Sequence, residues 1–245
     1  QTFSDFEAIL VNDGSKDSSA HICEEYCRLD SRFSLVNREN GGVSAARNAG
    51  IPGAHGEYIT FADADDMALE NWLMDVVPYM DGVGMIVTGT RTVGFNRWHP
   101  DYNPEERRTG VTAAIEELIR HEMIGYTWHK FYRTGIIREH GLRFDQHYMP
   151  MEDEEFLMHY MQRISDVQFV SSMQYVYDVP DFKSKYHPVA MDCFCDIARL
   201  VEKACNGDRK VKFMYLDRIF RKTIRKLRAG EEDEDGLRCY CKTLG

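Results

Sequence analysis

Hydrophobic positions along the chain fall into short runs separated by polar turns. Phe6 to Val11 predicts a strand that stops at the turn Asn12-Asp13-Gly14-Ser15. Asp17 or Ser18 is placed to cap the next helix, which carries Ile22, Tyr26 and Leu29 on one face. Phe33 to Val36 predicts a second strand, Asn40-Gly41-Gly42 a second turn, and Ser44 the cap of a helix over Ala45 to Ala49. A strand at Tyr58 to Phe61, a helix from Leu69 to Met80 and a strand at Met85 to Thr88 follow. Strands alternating with helices at this spacing predict a parallel sheet covered on its faces, whose ligands sit beyond the carboxyl ends of the strands. Two polar loops fall at such ends: Asn12 to Ser15 and Asp63 to Asp66.

The pattern then loosens. Gly94 to Gly110 reads as a loop holding Trp98, His99 and Pro100, and Val111 to His121 as a helix. An aromatic segment runs from Tyr126 to Tyr132, with a helix around Gly135 to His140 and strand-like Tyr175 to Tyr177 beyond. From Arg209 to Arg228, apolar residues interleave with lysine and arginine, predicting a basic amphipathic helix. Its basic face is solvated on a packed helix, or else leans on anionic lipid.

The acidic residues carry the candidate chemistry. Asp63, Asp65 and Asp66 crowd behind the strand at Tyr58, and like charges so close raise one another's pKa unless a cation neutralises them. A divalent ion held by one or two carboxylates, with ligand phosphates completing its shell, resolves the repulsion; a solvated turn capping the next helix is the alternative. A second cluster, Glu152-Asp153-Glu154-Glu155, precedes apolar Phe156 and Leu157, where acids also favour a helix N-terminus.

Composition narrows the partners. The 245 residues are 43% hydrophobic, enough for a sizeable core, and a net charge of −10 argues against nucleic acid. No apolar run approaches the roughly 20 residues of a membrane span. Seven cysteines in no four-ligand zinc spacing read as reduced cytosolic thiols, and no dinucleotide or phosphate-loop glycine motif is present. His129, His140, His147 and His159 read as surface or core residues.

Several segments in consistent order resemble family 2 glycosyltransferases: Gln1 to Glu7 with Val11 to Ser15, Asn40 to Ile51, Gly56 to Asp66, Trp128-His129-Lys130-Phe131-Tyr132, and Glu152-Asp153. The resemblance implies a GT-A fold, an α/β Rossmann-like sheet, mixed but mostly parallel, flanked by helices. It would occupy residues 1–180, with a mainly helical C-terminal extension over 181–245. It further implies transfer of a sugar from a nucleotide-sugar, a UDP-sugar in the simplest case, to a saccharide or lipid-linked hydroxyl with inversion. By position, Asp13 resembles the acid that binds the nucleotide base, with Gly41 and Gly42 lining that pocket. Asp63 and Asp65 resemble the Asp-x-Asp motif, with Asp65 the direct ligand of Mn²⁺ or Mg²⁺. Lys130 falls in a donor-binding segment, and Asp153 resembles the general base; Lys183, Lys185 and His187 are weaker diphosphate candidates.

The sequence departs from the family in two ways. The family's first strand is expected before Gln1, and Asn12 stands where many members have an Asp. A nucleotide-sugar-binding or scaffold remnant that no longer transfers is therefore the competing expectation. The expected location is the cytoplasm, at the inner membrane face if the basic helix meets lipid.

Overall fold

A computed structural model describes residues 1–94, 101–179 and 191–228. β1 (Ala8–Asp13), α1 (Ser19–Leu29) and β2 (Phe33–Arg38) form a unit in which the two strands pair in parallel, from Ala8 opposite Phe33 to Asp13 opposite Arg38. Asp17 supplies the helix start, accepting the Ser19 amide at 3.0 Å, while Ser18 occupies the cap position without a side-chain bond. α2 (Val43–Gly50) follows and packs on β1. Its cap is Gly42, not Ser44. Gly42 takes φ 84°, which a glycine adopts without strain, whereas Ser44 lies inside the first turn, buried, with no partner for its hydroxyl among the described residues.

β3 (Tyr58–Ile59) is shorter than its apolar run, and β4 (Met67–Ala68) comes after the acidic turn. No α-helix forms over Leu69 to Met80. That segment is a series of turns ending in a 3₁₀ turn at Val77–Tyr79. Pro78 has no amide to bond Met74 and disfavours helix at Val77. The turns are tied instead to the chain start, where Gln1 Nε2 donates to Leu69 O at 2.6 Å and the Leu73 amide donates to Gln1 Oε1 at 3.1 Å.

β5 (Met85–Thr88), β6 (Arg91–Gly94), β7 (Arg107–Gly110), α3 (Val111–Arg120), β8 (Lys130–Arg133) and α4 (Thr134–Glu139) come next. α5 (Glu152–Met161), β9 (Asp166–Val170), β10 (Tyr175–Val179), α6 (Met191–Ala204) and α7 (Arg209–Arg228) complete the fold. Five strands form a mixed sheet in the order β3-β8-β5-β9-β7, parallel between β5 and β9 and antiparallel elsewhere. A second sheet, β4-β10-β6, is parallel between β10 and β6. The expected Gly94 to Gly110 loop thus includes an edge strand. β7 escapes the hydrophobic pattern because it is charged, and Arg108 pairs with Asp166 at 2.5 Å. Trp98, His99 and Pro100 lie outside the described residues.

The central strand β5 is buried on both faces, and its side chains alternate between two cores. Met85 and Val87 face α3, α5, α6 and α7. Ile86 faces an aromatic cluster of Trp72, Trp128, Phe131 and Tyr175. Trp128 stacks on Tyr175 with ring centroids 4.9 Å apart and 6° between planes. The helical core braces α5, and the aromatic core braces the acidic turn.

Candidate active site

The first loop is built around Asp13. The Ser15 amide donates to Asn12 Oδ1 at 3.0 Å, closing a turn that Gly14 completes at φ 74°. A β-carbon at Gly14 would sit 2.8 Å from the Asn40 amide nitrogen, so the two loops approach closely only with glycine there. The Asp13 carboxylate accepts the Gly42 amide at 2.8 Å and the Gly41 amide at 3.1 Å, and pairs with Arg38. Asp13, Gly41 and Gly42, grouped by sequence as one pocket, are neighbours.

At the acidic turn the three aspartates have separate fates. Asp66 is drawn inward, accepting the Tyr175 hydroxyl at 2.6 Å and the Asp178 amide at 2.9 Å. Burial raises its pKa, those two bonds oppose the rise, and nearby Asp63 and Asp65 add to it. Asp63 offers its amide to the Tyr175 hydroxyl at 3.1 Å and its carboxylate to Arg47 at 3.3 Å. Asp65 stays exposed. One tyrosine thereby sets the geometry of the turn, and the stack on Trp128 holds that tyrosine.

Among the described residues no three His, Cys, Asp or Glu side chains converge as a ready metal cage. Mg²⁺ and Mn²⁺ sites completed by phosphates and water require only one or two carboxylates, and the exposed Asp65 beside Asp63 fits that donor set.

Arg47, on α2, joins the two acidic clusters. Its Nη2 meets Asp63 at 3.3 Å, its Nη1 meets Glu152 Oε1 at 3.1 Å, and its guanidinium lies over the Phe144 ring. The sequence showed the residue inside a matched segment, but nothing in its spacing marked it as the bridge. A lone cation amid the alanines of a short helix was the available signal.

The first turn of α5 holds the remaining acids. Glu152, Glu154 and Glu155 are buried, while Asp153 keeps partial exposure. Asp153 Oδ1 accepts the Glu154 amide at 2.9 Å. Burial, reinforced by Glu152 and Glu154, lifts the Asp153 carboxyl to about 8, against the pull of Arg47 and Lys130.

Lys130 is placed differently from the expectation of a donor contact. It is fully buried, and its ammonium donates to the Met123 carbonyl at 2.9 Å and to the Tyr126 carbonyl. Burial brings its pKa down to about 7, with Asp153 and Glu154 resisting the fall. His129, also buried and held well below its usual pKa, stands 2.8 Å from the same ammonium. Its Nδ1 lies 3.2 Å from the Thr88 carbonyl oxygen, and its Nε2 lies 3.1 Å from that of Met123, beside the Lys130 ammonium. Both side chains thus spend their polar atoms on backbone carbonyls of the fold. Lys183, Lys185 and His187 lie outside the described residues.

A cavity of about 780 Å³ opens beside this centre, lined by Arg38, Asn48, Phe144, Gln146, Glu155 and His159 among others. It borders Asp13 through Arg38 but includes neither Asp65 nor Asp153.

The family model for glycosyl transferase family 2 matches residues 1–141. The chain belongs to glycosyltransferase family 2. Among its relatives, an uncharacterized glycosyltransferase EpsJ of Bacillus subtilis is 32% identical over 72% of this chain and 54% of that protein. The poly(ribitol-phosphate) β-N-acetylglucosaminyltransferase TarS of Staphylococcus aureus is 26% identical over 80% of this chain and 34% of its own length. The chain thus spans about half of EpsJ and a third of TarS. The crystal structure of TarS 1-349 with UDP-GlcNAc superposes with a TM-score of 0.71 at 20% identity, covering 88% of this chain and 64% of that one. A Pyrobaculum calidifontis mannosyltransferase bound to GDP-Man and Mn²⁺ gives 0.54 at 13%, over 97% and 70%. These likenesses establish a shared fold with GT-A glycosyltransferases.

Proposed function

We propose that this family 2 domain transfers a sugar from a nucleoside-diphosphate donor to a hydroxyl acceptor, with inversion at the anomeric carbon. The observation that carries the reading is the Arg47 bridge, which ties Asp63 of the acidic turn to Glu152 beside Asp153. The proposed diphosphate-binding turn and the proposed proton-accepting helix start are thereby tied to the two arms of one guanidinium. The acceptor oxygen attacks the anomeric carbon, the bond from that carbon to the diphosphate breaks, and the acceptor proton passes to Asp153. One positioned base suffices for such a displacement. Asp13, with Gly41 and Gly42, would receive the base of the nucleotide. Asp65, with Asp63, would hold Mn²⁺ or Mg²⁺, which when bound neutralises charge on the departing diphosphate. UDP-sugar is the favoured donor because TarS is described with UDP-GlcNAc. Any contact with an anionic membrane would fall to Lys210, Phe213 and Arg221, which are exposed on α7.

The competing reading is donor binding without transfer, favoured by the Asp153 carboxyl being lifted to about 8, which keeps the proposed base protonated at neutral pH. One set of measurements separates the two. In the full-length protein, wild type should release nucleoside diphosphate from a nucleotide-sugar in the presence of Mn²⁺ and an acceptor. Asp153→Asn should lower turnover by about 10²–10⁴-fold with donor affinity kept. Asp65→Ala should abolish the Mn²⁺-dependent gain in UDP affinity measured by calorimetry. Donor binding with no release under any acceptor would favour the binding-only reading. UDP affinity indifferent to both EDTA and Asp65→Ala would remove the metal assignment.

A further inference from the structure

α5 begins between two arginines that reach it from opposite ends of the chain. Arg47 holds Glu152 from α2, and Arg218 holds Glu154 from α7. The second grip is the more elaborate. Arg218 Nη2 donates to Glu154 Oε1 at 2.9 Å, and the Tyr215 hydroxyl, one helical turn earlier, donates to Glu154 Oε2 at 2.7 Å. Arg218 Nε donates to Glu122 Oε2 at 2.9 Å. Glu122 itself sits at φ 61°, a left-handed backbone that disfavours a side chain, at the end of α3. Gly125 leaves the room: a β-carbon there would lie 2.8 Å from Glu154 Oε1.

Arg218 is only 4% exposed and Glu154 5%. A buried ion pair of this kind adds little net stability over apolar residues of the same volume, because desolvation consumes most of the attraction. What it does supply is a fixed orientation. With both oxygens of Glu154 held, its backbone is held too, and the Glu154 amide is the donor to Asp153 Oδ1 at 2.9 Å. The path from α7 to Asp153 is therefore two side-chain bonds, one residue and one amide bond.

We infer that Tyr215 and Arg218 of the C-terminal helix are positioning residues for Asp153, acting through Glu154. The inference rests on the reading of Asp153 as the base, and it makes α7 part of the catalytic unit instead of an appendage. Each reaches Asp153 only through Glu154.

The test uses the full-length protein with Arg218→Met, Arg218→Lys and Tyr215→Phe. Where the enzyme transfers sugar, Arg218→Met should lower kcat by about 10²-fold, the scale of loss for a displaced catalytic group, with donor KM unchanged. Arg218→Lys should recover part of that loss, since it keeps the charge but not the fork. Tyr215→Phe keeps the ring and packing and should lose about tenfold in kcat, one hydrogen bond to a charged acceptor. Combined with Asp153→Asn, Arg218→Met should cost nothing further. A readout independent of turnover is the carboxyl-carbon NMR shift of Asp153 at fixed pH, which should move in Arg218→Met and move less in Arg218→Lys. An unmoved Asp153 signal in folded Arg218→Met overturns the inference whether or not the wild type transfers sugar. Wild-type kcat in folded Arg218→Met also overturns it. Absent transfer by wild type together with a shifted Asp153 signal counts against the proposed function alone and supports the positioning.

Discussion

Lys130 lies in a matched motif yet spends its hydrogen bonds inside the fold. Its ammonium occupies the buried carbonyls of Met123 and Tyr126 and abuts neutral His129, so its removal leaves acceptors without a donor. Lys130→Met should destabilise the protein by about 1–3 kcal/mol in denaturant titration, the cost of stranding a buried acceptor. UDP affinity per folded molecule should stay at the wild-type level. A lost affinity with unchanged stability would return Lys130 to the donor site. The sequence carried the segment Trp128 to Tyr132 but not the direction of its side chains. Asp13, Gly41 and Gly42 were legible because turn residues at strand ends have few places to go. Arg47, Tyr175 and Arg218 were not, because each acts on a partner far away in the chain, and such pairings leave no local pattern.

At the scale of elements, period-two and helical patterns located most of the fold, and the misses have distinct causes. α7 falls where the apolar series from Val211 to Leu227 placed it, and β5 spans the expected Met85–Thr88. The Leu69 to Met80 segment has helical spacing but contains Pro78 and is pinned by Gln1, so turns win. β4 is two residues long, too short for any pattern, yet it pairs with β10 and brings Tyr175 opposite Ala68. That pairing lets the Tyr175 hydroxyl reach both the Asp66 carboxylate and the Asp63 amide. Tyr175→Phe preserves the stack on Trp128 and removes only those bonds. Its stability cost should be about 1–3 kcal/mol, and Mn²⁺-dependent UDP affinity should fall more than stability alone would explain. Calorimetry beside thermal unfolding checks both. Wild-type affinity in the folded variant would mean that the turn holds its shape without Tyr175.

At the scale of the whole molecule, the acids buried around α5 tie stability to pH. The carboxyl of Asp153 is raised from an ordinary 3.8 to about 8, chiefly by burial. Between those values the unfolded chain releases this proton and the folded chain keeps it. Stability must therefore fall as pH rises through that window, by at most about 1.4 kcal/mol per pH unit for one proton. Above about 8 both states are ionised and the full penalty is present. Lys130, lowered from 10.5 to about 7, acts in the opposite sense but over a higher window, where the unfolded chain holds the extra proton. Lys130, His129 and Asp66 are common to wild type and Asp153→Asn, so the difference between the two proteins from pH 5 to pH 7 reports on the carboxyl. Asp153→Asn should be more stable than wild type at pH 7, and its advantage should shrink towards pH 5. Parallel Tm curves for the two proteins would show that Asp153 titrates as an ordinary carboxylate. The same proton matters to the proposed chemistry, since a base works only when deprotonated. A raised pKa means that kcat/KM should climb with pH through neutrality, so the penalty in stability and the gain in basicity arise from one carboxyl.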